Sequence, residues 1–217
     1  MNALRINRGK SGNVSARIGG GFLITPTGLA YDAIRVNDIV EMSLEGKVRG
    51  SREPSSEWRF HRDIYLARPD ASAIVHAHST FATALACLGR GIPAFHYMVA
   101  IAGGSDIRCA RYATFGTQEL SDNALAAIAG RTACLLANHG MIAVGPSLDA
   151  ALALAVEVEA LGEQYWAALQ IGEPNVLPDA EMAVVLQRFR NYGQREHDSA
   201  ARQRKSPKSA PKGRLRN

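Results

Sequence analysis

The chain has 217 residues, 47% hydrophobic and 21% charged, as expected of one domain with a sizeable core. No apolar run approaches the ~18 residues that would span a bilayer, and the N-terminus lacks the basic-then-apolar order of a secretory signal, so the expected location is cytoplasmic. The net charge of +5 argues for nucleic-acid binding only until it is divided: residues 195–217 hold eight Lys/Arg against two acids, leaving 17 against 18 for residues 1–194.

In chain order, GGGFLITPTGLAY places an apolar strand, Phe22 to Ile24, between two glycine-containing turns. Trp58, Phe60, His61, Ile64, Tyr65 and Ala67 then recur at i, i+3, i+4 spacing, which predicts an amphipathic helix between Pro54 and Pro69. AIVHAH (Ala73 to His78) reads as a short strand and Ser79 to Leu88 as a second helix. Leu120 to Ala129 is a further helix; Thr132 to Ala137 is a buried strand ending at Asn138-His139-Gly140, and Met141 to Val144 another strand. Leu148 to Ile171 is the longest helical signal, and Asp179 to Phe189 the last one. Helices alternate with strands without a repeat, so the expectation is one domain over residues 1–194 with helices layered on a central sheet. Residues 195–217, rich in Lys, Arg, Ser and Pro, read as a disordered basic tail that either solubilises or weakly attracts nucleic acid or anionic lipid. Cys87, Cys109 and Cys134 are odd in number and far apart, so they offer neither a disulfide framework nor a CxxC metal knuckle.

Side chains two apart on a strand share a face, so His76 and His78 project together with metal-ligand spacing. A catalytic metal needs a third ligand, for which His139 at a strand end beside a glycine is the best candidate. HxH alone is as readily a pair of packed or solvated histidines. His61, His96 and His197 read as structural or solvated. Glu57, at the first turn of the helix that leads into the HxH strand, is either a fourth ligand or proton shuttle, or simply an acid favoured by the helix dipole. Three segments, Ser11-Gly12-Asn13, Thr25-Pro26-Thr27-Gly28 and Ser55-Ser56, carry hydroxyls, an amide and free backbone N–H groups that could cradle a phosphate, although each alone is only a turn or a cap.

GNVSAR, LITPTG, PSSEWRFH, IVHAHS, the run IPAFHYMVAIAGGSDIRCARYATFG and NHG occur in one order, over about Gly12 to Tyr192, and in this the chain resembles the class II aldolase/adducin family. The resemblance implies a three-layer α/β/α single domain with a central mixed, largely antiparallel sheet, assembled as a homotetramer with active sites between subunits. It implies an aldolase holding one zinc ion per subunit through His76, His78 and His139, with Glu57 as acid/base that also contacts the metal. Gly12, Asn13, Thr27, Gly28, Ser55 and Ser56 would form the phosphate pocket and Phe115 would line the aldehyde side. Tyr97 would donate a proton to the aldehyde oxygen from a neighbouring subunit, and Tyr192 would close over the site. The implied reaction cleaves a ketose 1-phosphate, such as L-fuculose 1-phosphate, to dihydroxyacetone phosphate and a small aldehyde such as L-lactaldehyde.

Alternatives sharing the metal cage stay open: ribulose-phosphate aldolases, methylthioribulose-1-phosphate dehydratase, and the 4-epimerases, which carry Asp in place of Glu57. A non-catalytic adducin-like association module is the alternative of a different class. Family members begin with a full helix before GNVS, whereas MNALRIN matches only its last turns, so the natural start is expected upstream of Met1.

Overall fold

All five residues of the strand Ala73–Ala77 (β5) are buried, which a strand achieves only at the centre of a sheet covered on both faces. The computed structural model describes residues 1–192 and places β5 there; the tail expected over 195–217 lies outside the described residues. Its seven companions are β1 (Asn13–Ile18), β2 (Gly21–Ile24), β3 (Val40–Ser43), β4 (Val48–Arg49), β6 (Cys109–Ala110), β7 (Ala133–Leu136) and β8 (Gly140–Gly145). They form one sheet in the order β4-β3-β2-β1-β5-β8-β7-β6, antiparallel throughout except for β6 beside β7.

The period of two divides β5 between two cores. Ala73, Val75 and Ala77 face a layer built from α2 (Thr80–Cys87), α4 (Leu148–Ile171) and α5 (Asp179–Tyr192). Ile74 faces the opposite layer, made by α1 (Trp58–Ala67) and α3 (Gln118–Ile128) with Phe60, Ile64, Leu120 and Ala124. The result is the expected three-layer α/β/α arrangement on a mixed, largely antiparallel sheet.

Four helices and the strands over Phe22–Ile24, Ala73–His78, Thr132–Ala137 and Met141–Val144 fall within a few residues of expectation, and α4 coincides with it. Three differences bear on the site. The helix expected from Ser55 begins at Trp58, so Glu57 is the cap residue ahead of the first turn rather than part of it. The strand ends at Ala77, which leaves His78 just beyond it. The start of the chain is a single 3-10 turn, Asn2–Leu4, followed by buried Ile6 and Asn7.

α2 starts two residues after His78 without a side-chain cap from Ser79. Instead the Glu159 carboxylate of α4 accepts from the Phe81 and Ala82 backbone N–H groups, each at 2.9 Å. A negative charge at a helix N-terminus satisfies two otherwise orphaned donors and complements the dipole, so α4 fixes the chain direction directly after the HxH segment.

Candidate active site

Four side chains converge on one point at the seam of β1, β5 and β8. His76 lies within β5, where the antiparallel register sets it opposite Asn13 of β1 on one side and Ile142 of β8 on the other. His78 follows the strand on the same face. His139 stands at the β7–β8 corner, which Asn138 turns in the left-handed region at φ 55. Gly140 follows it because a Cβ there would sit 2.5 Å from the Ala77 carbonyl oxygen and 2.9 Å from the His78 ring. Glu57 enters from the opposite layer at the head of α1.

The three imidazoles form a propeller. Their ring centroids are 4.8 to 4.9 Å apart pairwise, with interplanar angles of 74° to 77°. His76 and His78 bring their Nε2 atoms within 3.0 Å of each other, while Glu57 Oε2 lies 3.2 Å from His76 Nε2 and Oε1 lies 3.1 Å from His139 Nε2. One ligating atom from each of the four residues lies within 4.8 Å of all the others.

The donor chemistry of this set fits a divalent cation. His76 Nδ1 is 2.9 Å from the Met141 carbonyl oxygen, which can only accept, so Nδ1 carries the hydrogen and the bare Nε2 points into the cluster. Lone pairs and a carboxylate thus face one another, an arrangement that repels itself unless a positive charge sits among them. Glu57 Oε1, buried and without a hydrogen-bond partner, is the kind of orphaned oxygen a cation would satisfy. Burial alone would raise the Glu57 carboxyl; positive charge on protonated His76 and His139 outweighs it and holds the carboxyl well below the usual range, a place that a cation would take among neutral imidazoles. The His78 imidazole is pushed down to about 4, first by burial and then by its two histidine neighbours, which favours the neutral, ligating form at pH 7.

A cleft of about 300 Å³ opens from this cluster. The three hydroxyl- and glycine-bearing segments, far apart in sequence, meet on its wall: Gly12 and Asn13, Thr27 and Gly28, Ser55 and Ser56, with Phe115 on another side. A bridge between Pro26 and Pro54 and the bond from Thr27 N–H to the Glu53 carbonyl, at 3.1 Å, hold the second and third segments together. Gly12 allows the first to approach, since a Cβ there would meet the His76 carbonyl oxygen at 2.5 Å, and its φ of 73 is left-handed.

The remaining site candidates lie elsewhere. Tyr97 is half-exposed at the start of a 3-10 segment and lines a separate apolar groove with Met98, Ile101 and residues of α5, so within its own chain it does not reach the cleft. Tyr192 is the last residue of α5. Conversely, Lys10, Tyr112 and Asn138 line the cleft without having been singled out. Lys10 supplies the cation that the small-residue segments lacked, and its position directly before Ser11 was the available signal. His61 is buried against Asn13 rather than solvated.

A three-layer fold with a histidine-and-carboxylate cluster opening on a polar cleft is the arrangement of a metal-dependent enzyme. The chain belongs to the class II aldolase and adducin family: the family profile, described as Class II Aldolase and Adducin N-terminal domain, matches residues 1–166. It is 62% identical over 193 residues to the 5-methylthioribulose-1-phosphate/5-deoxyribulose-1-phosphate aldolase of Rhodospirillum rubrum, covering 89% of this chain and 87% of that one. It is 50% identical to the L-fuculose phosphate aldolase of Escherichia coli strain K12, covering 90% and 91%. A solved L-fuculose 1-phosphate aldolase superposes with a TM-score of 0.83 at 46% identity, over 85% of this chain and 88% of that one.

Proposed function

We propose that the chain is a zinc-dependent aldolase that reversibly cleaves a ketose 1-phosphate between C3 and C4, giving dihydroxyacetone phosphate and a short aldehyde. The observation that carries this reading is the position of the His76, His78, His139 and Glu57 cluster at one end of a cleft whose wall is lined by three hydroxyl- and glycine-bearing segments. The histidines would hold the ion, and zinc supplies Lewis-acid stabilisation for the charge that cleavage leaves on the three-carbon fragment.

Glu57 moves a proton to and from C3 of that fragment. The hydroxyls of Thr27, Ser55 and Ser56, the backbone at Gly12 and Gly28, the Asn13 amide and the Lys10 ammonium bind and orient the phosphate. Phe115 borders the space left for the aldehyde. Tyr97, exposed and outside its own cleft, serves a neighbouring subunit of a homotetramer as proton donor to the aldehyde oxygen, and Tyr192 closes over the site. Residues 1–194 form the catalytic unit, the basic segment 195–217 is an appendage, and the enzyme works in the cytoplasm.

The 62% identity to the Rhodospirillum aldolase supports 5-deoxyribulose and 5-methylthioribulose 1-phosphates as substrates, which would release acetaldehyde and (methylthio)acetaldehyde. L-fuculose 1-phosphate, which would release L-lactaldehyde, is the second reading, supported by the 50% relative and the superposed structure. A hydroxymethylene or methylthio difference in the aldehyde is decided by contacts worth about 1 to 3 kcal/mol. The test is to incubate zinc-loaded protein with dihydroxyacetone phosphate and each of the three aldehydes, ranking kcat/KM and identifying product stereochemistry. L-lactaldehyde ranking first would exchange the two readings; no condensation with any would refute the aldolase assignment.

A further inference from the structure

Behind Glu57, α1 and β1 are joined by a polar zipper in which both periods match. Glu57, His61 and Tyr65 recur every four residues along α1, and Asn13 and Ser15 are two apart on β1, so five side chains meet in one row. Asn13 Nδ2 is 2.9 Å from Glu57 Oε2, Asn13 Oδ1 contacts His61 Nε2, Ser15 Oγ is 2.7 Å from His61 Nδ1, and the Tyr65 hydroxyl is 2.8 Å from Ser15 Oγ. Asn13, Ser15, Glu57 and His61 are all buried polar groups.

The proton positions in this row are determined from its ends. A carboxylate only accepts, so the Asn13 amide must donate to Glu57 through Nδ2, which turns Oδ1 towards His61. His61 must then carry its hydrogen on Nε2, leaving Nδ1 to accept from the Ser15 hydroxyl, which in turn accepts from Tyr65. Burial pushes the His61 imidazole down to about 3, so it stays neutral at pH 7 and keeps a single tautomer. If the His61 N–H were lost, the Asn13 amide could flip and set its own oxygen against Glu57 Oε2.

We infer that His61 is a positioning residue: through Asn13 it holds Glu57 Oε2 and so orients the carboxylate that acts as the base. The inference rests on the aldolase reading for what Glu57 does, and on the hydrogen-bond row for how it is held.

Two measurements test it. In ¹⁵N spectra of the metal-free protein, His61 should show Nε2 protonated and Nδ1 bare between about pH 5 and pH 8; a protonated Nδ1 would overturn the inference. In zinc-loaded protein, His61→Phe keeps a ring beside Phe60 but removes the donor. Deuterium exchange at C3 of dihydroxyacetone phosphate should fall about 10- to 100-fold, with zinc content and the dissociation constant for dihydroxyacetone phosphate within about threefold of wild type. His61→Gln, whose amide can again donate to Asn13, should recover exchange to within about fivefold of wild type. Wild-type exchange in His61→Phe, or equal losses in Phe and Gln, would show that the ring only packs. If His61→Phe does not fold, the ¹⁵N spectrum of the wild type decides, because a protonated Nδ1 would leave Asn13 Oδ1 without its donor and overturn the inference. A wild-type protein that binds dihydroxyacetone phosphate but exchanges no deuterium would refute the aldolase reading instead, and the His61 spectrum would still decide the hydrogen-bond row.

Discussion

Replacing Glu57 by Gln tests the site at its most informative position. The amide keeps the size and, at the Oε2 position, the acceptor for Asn13 Nδ2, but substitutes an NH₂ group for Oε1, which sits 3.1 Å from His139 Nε2. Were Glu57 only an acid at the head of α1, its loss would cost about 0.3 to 1 kcal/mol of stability and leave turnover intact. As the base at C3 it cannot be replaced by an amide, and a loss of about 10²- to 10⁴-fold in kcat is expected. At ~1.4 kcal/mol per tenfold, that is about 3 to 6 kcal/mol of barrier, well above the helix-terminus effect. Zinc should stay bound, since the propeller of three imidazoles is intact. The assay is deuterium exchange at C3 of dihydroxyacetone phosphate in D₂O, with zinc content measured on the same sample; exchange at the wild-type rate with zinc retained would refute the reasoning.

Three further outcomes are expected. His78→Ala should lose most bound zinc together with activity, because the two remaining imidazoles cannot close the site, and a full zinc complement in that variant would remove His78 from the ligand set. Ser55→Ala should raise KM for dihydroxyacetone phosphate through an unmet phosphate hydrogen bond worth about 1 to 3 kcal/mol; equal turnover of unphosphorylated dihydroxyacetone by the wild type would contradict the phosphate cradle. Metal-free protein should lose stability in acid. The folded-state value of His61, about 3, lies below its ordinary 6.5, so its contribution is complete above pH 6.5 and drains away as the pH falls towards 3, amounting to about 2 to 3 kcal/mol by pH 4.5. Urea melts at pH 7 and 4.5 should show that loss shrinking in His61→Gln, and an unchanged pH dependence would place the acid sensitivity elsewhere.

Much of the metal cluster was legible because local periodicity carries it. Two histidines on alternate strand positions must share a face wherever the strand ends up, and a histidine before a glycine at a strand end must stand at a corner. α4 was legible for the same reason, being long and strongly periodic. Four strands were not: β3 is four residues and β4 and β6 two each, too short for a local pattern, while β1 alternates polar with apolar residues but buries the polar Asn13 and Ser15, the reverse of an ordinary half-buried strand. Missing β1 concealed the second role of Asn13, read as part of a turn but in fact paired opposite His76 with its amide engaged by Glu57 and His61. His61 was read as bland because its partners lie 46 and 48 residues away, a separation no local window spans. Tyr97 shows another limit: it lines a separate groove away from the cleft of its own chain, which no local pattern announces.

The sheet order has a consequence for synthesis. β5, a fully buried central strand, takes β1 on one edge and β8 on the other, and β8 begins at Gly140, long after β5 ends at Ala77. While the intervening residues leave the ribosome, β5 presents an unfilled, hydrophobic edge of the kind that pairs indiscriminately with other chains. Only when the Asn138-His139-Gly140 corner emerges can β8 close that edge, and the same event delivers the last histidine. Sheet completion and assembly of the metal cluster are therefore one step in the life of the nascent chain, so a truncated product lacking β8 would be both aggregation-prone and unable to sequester metal.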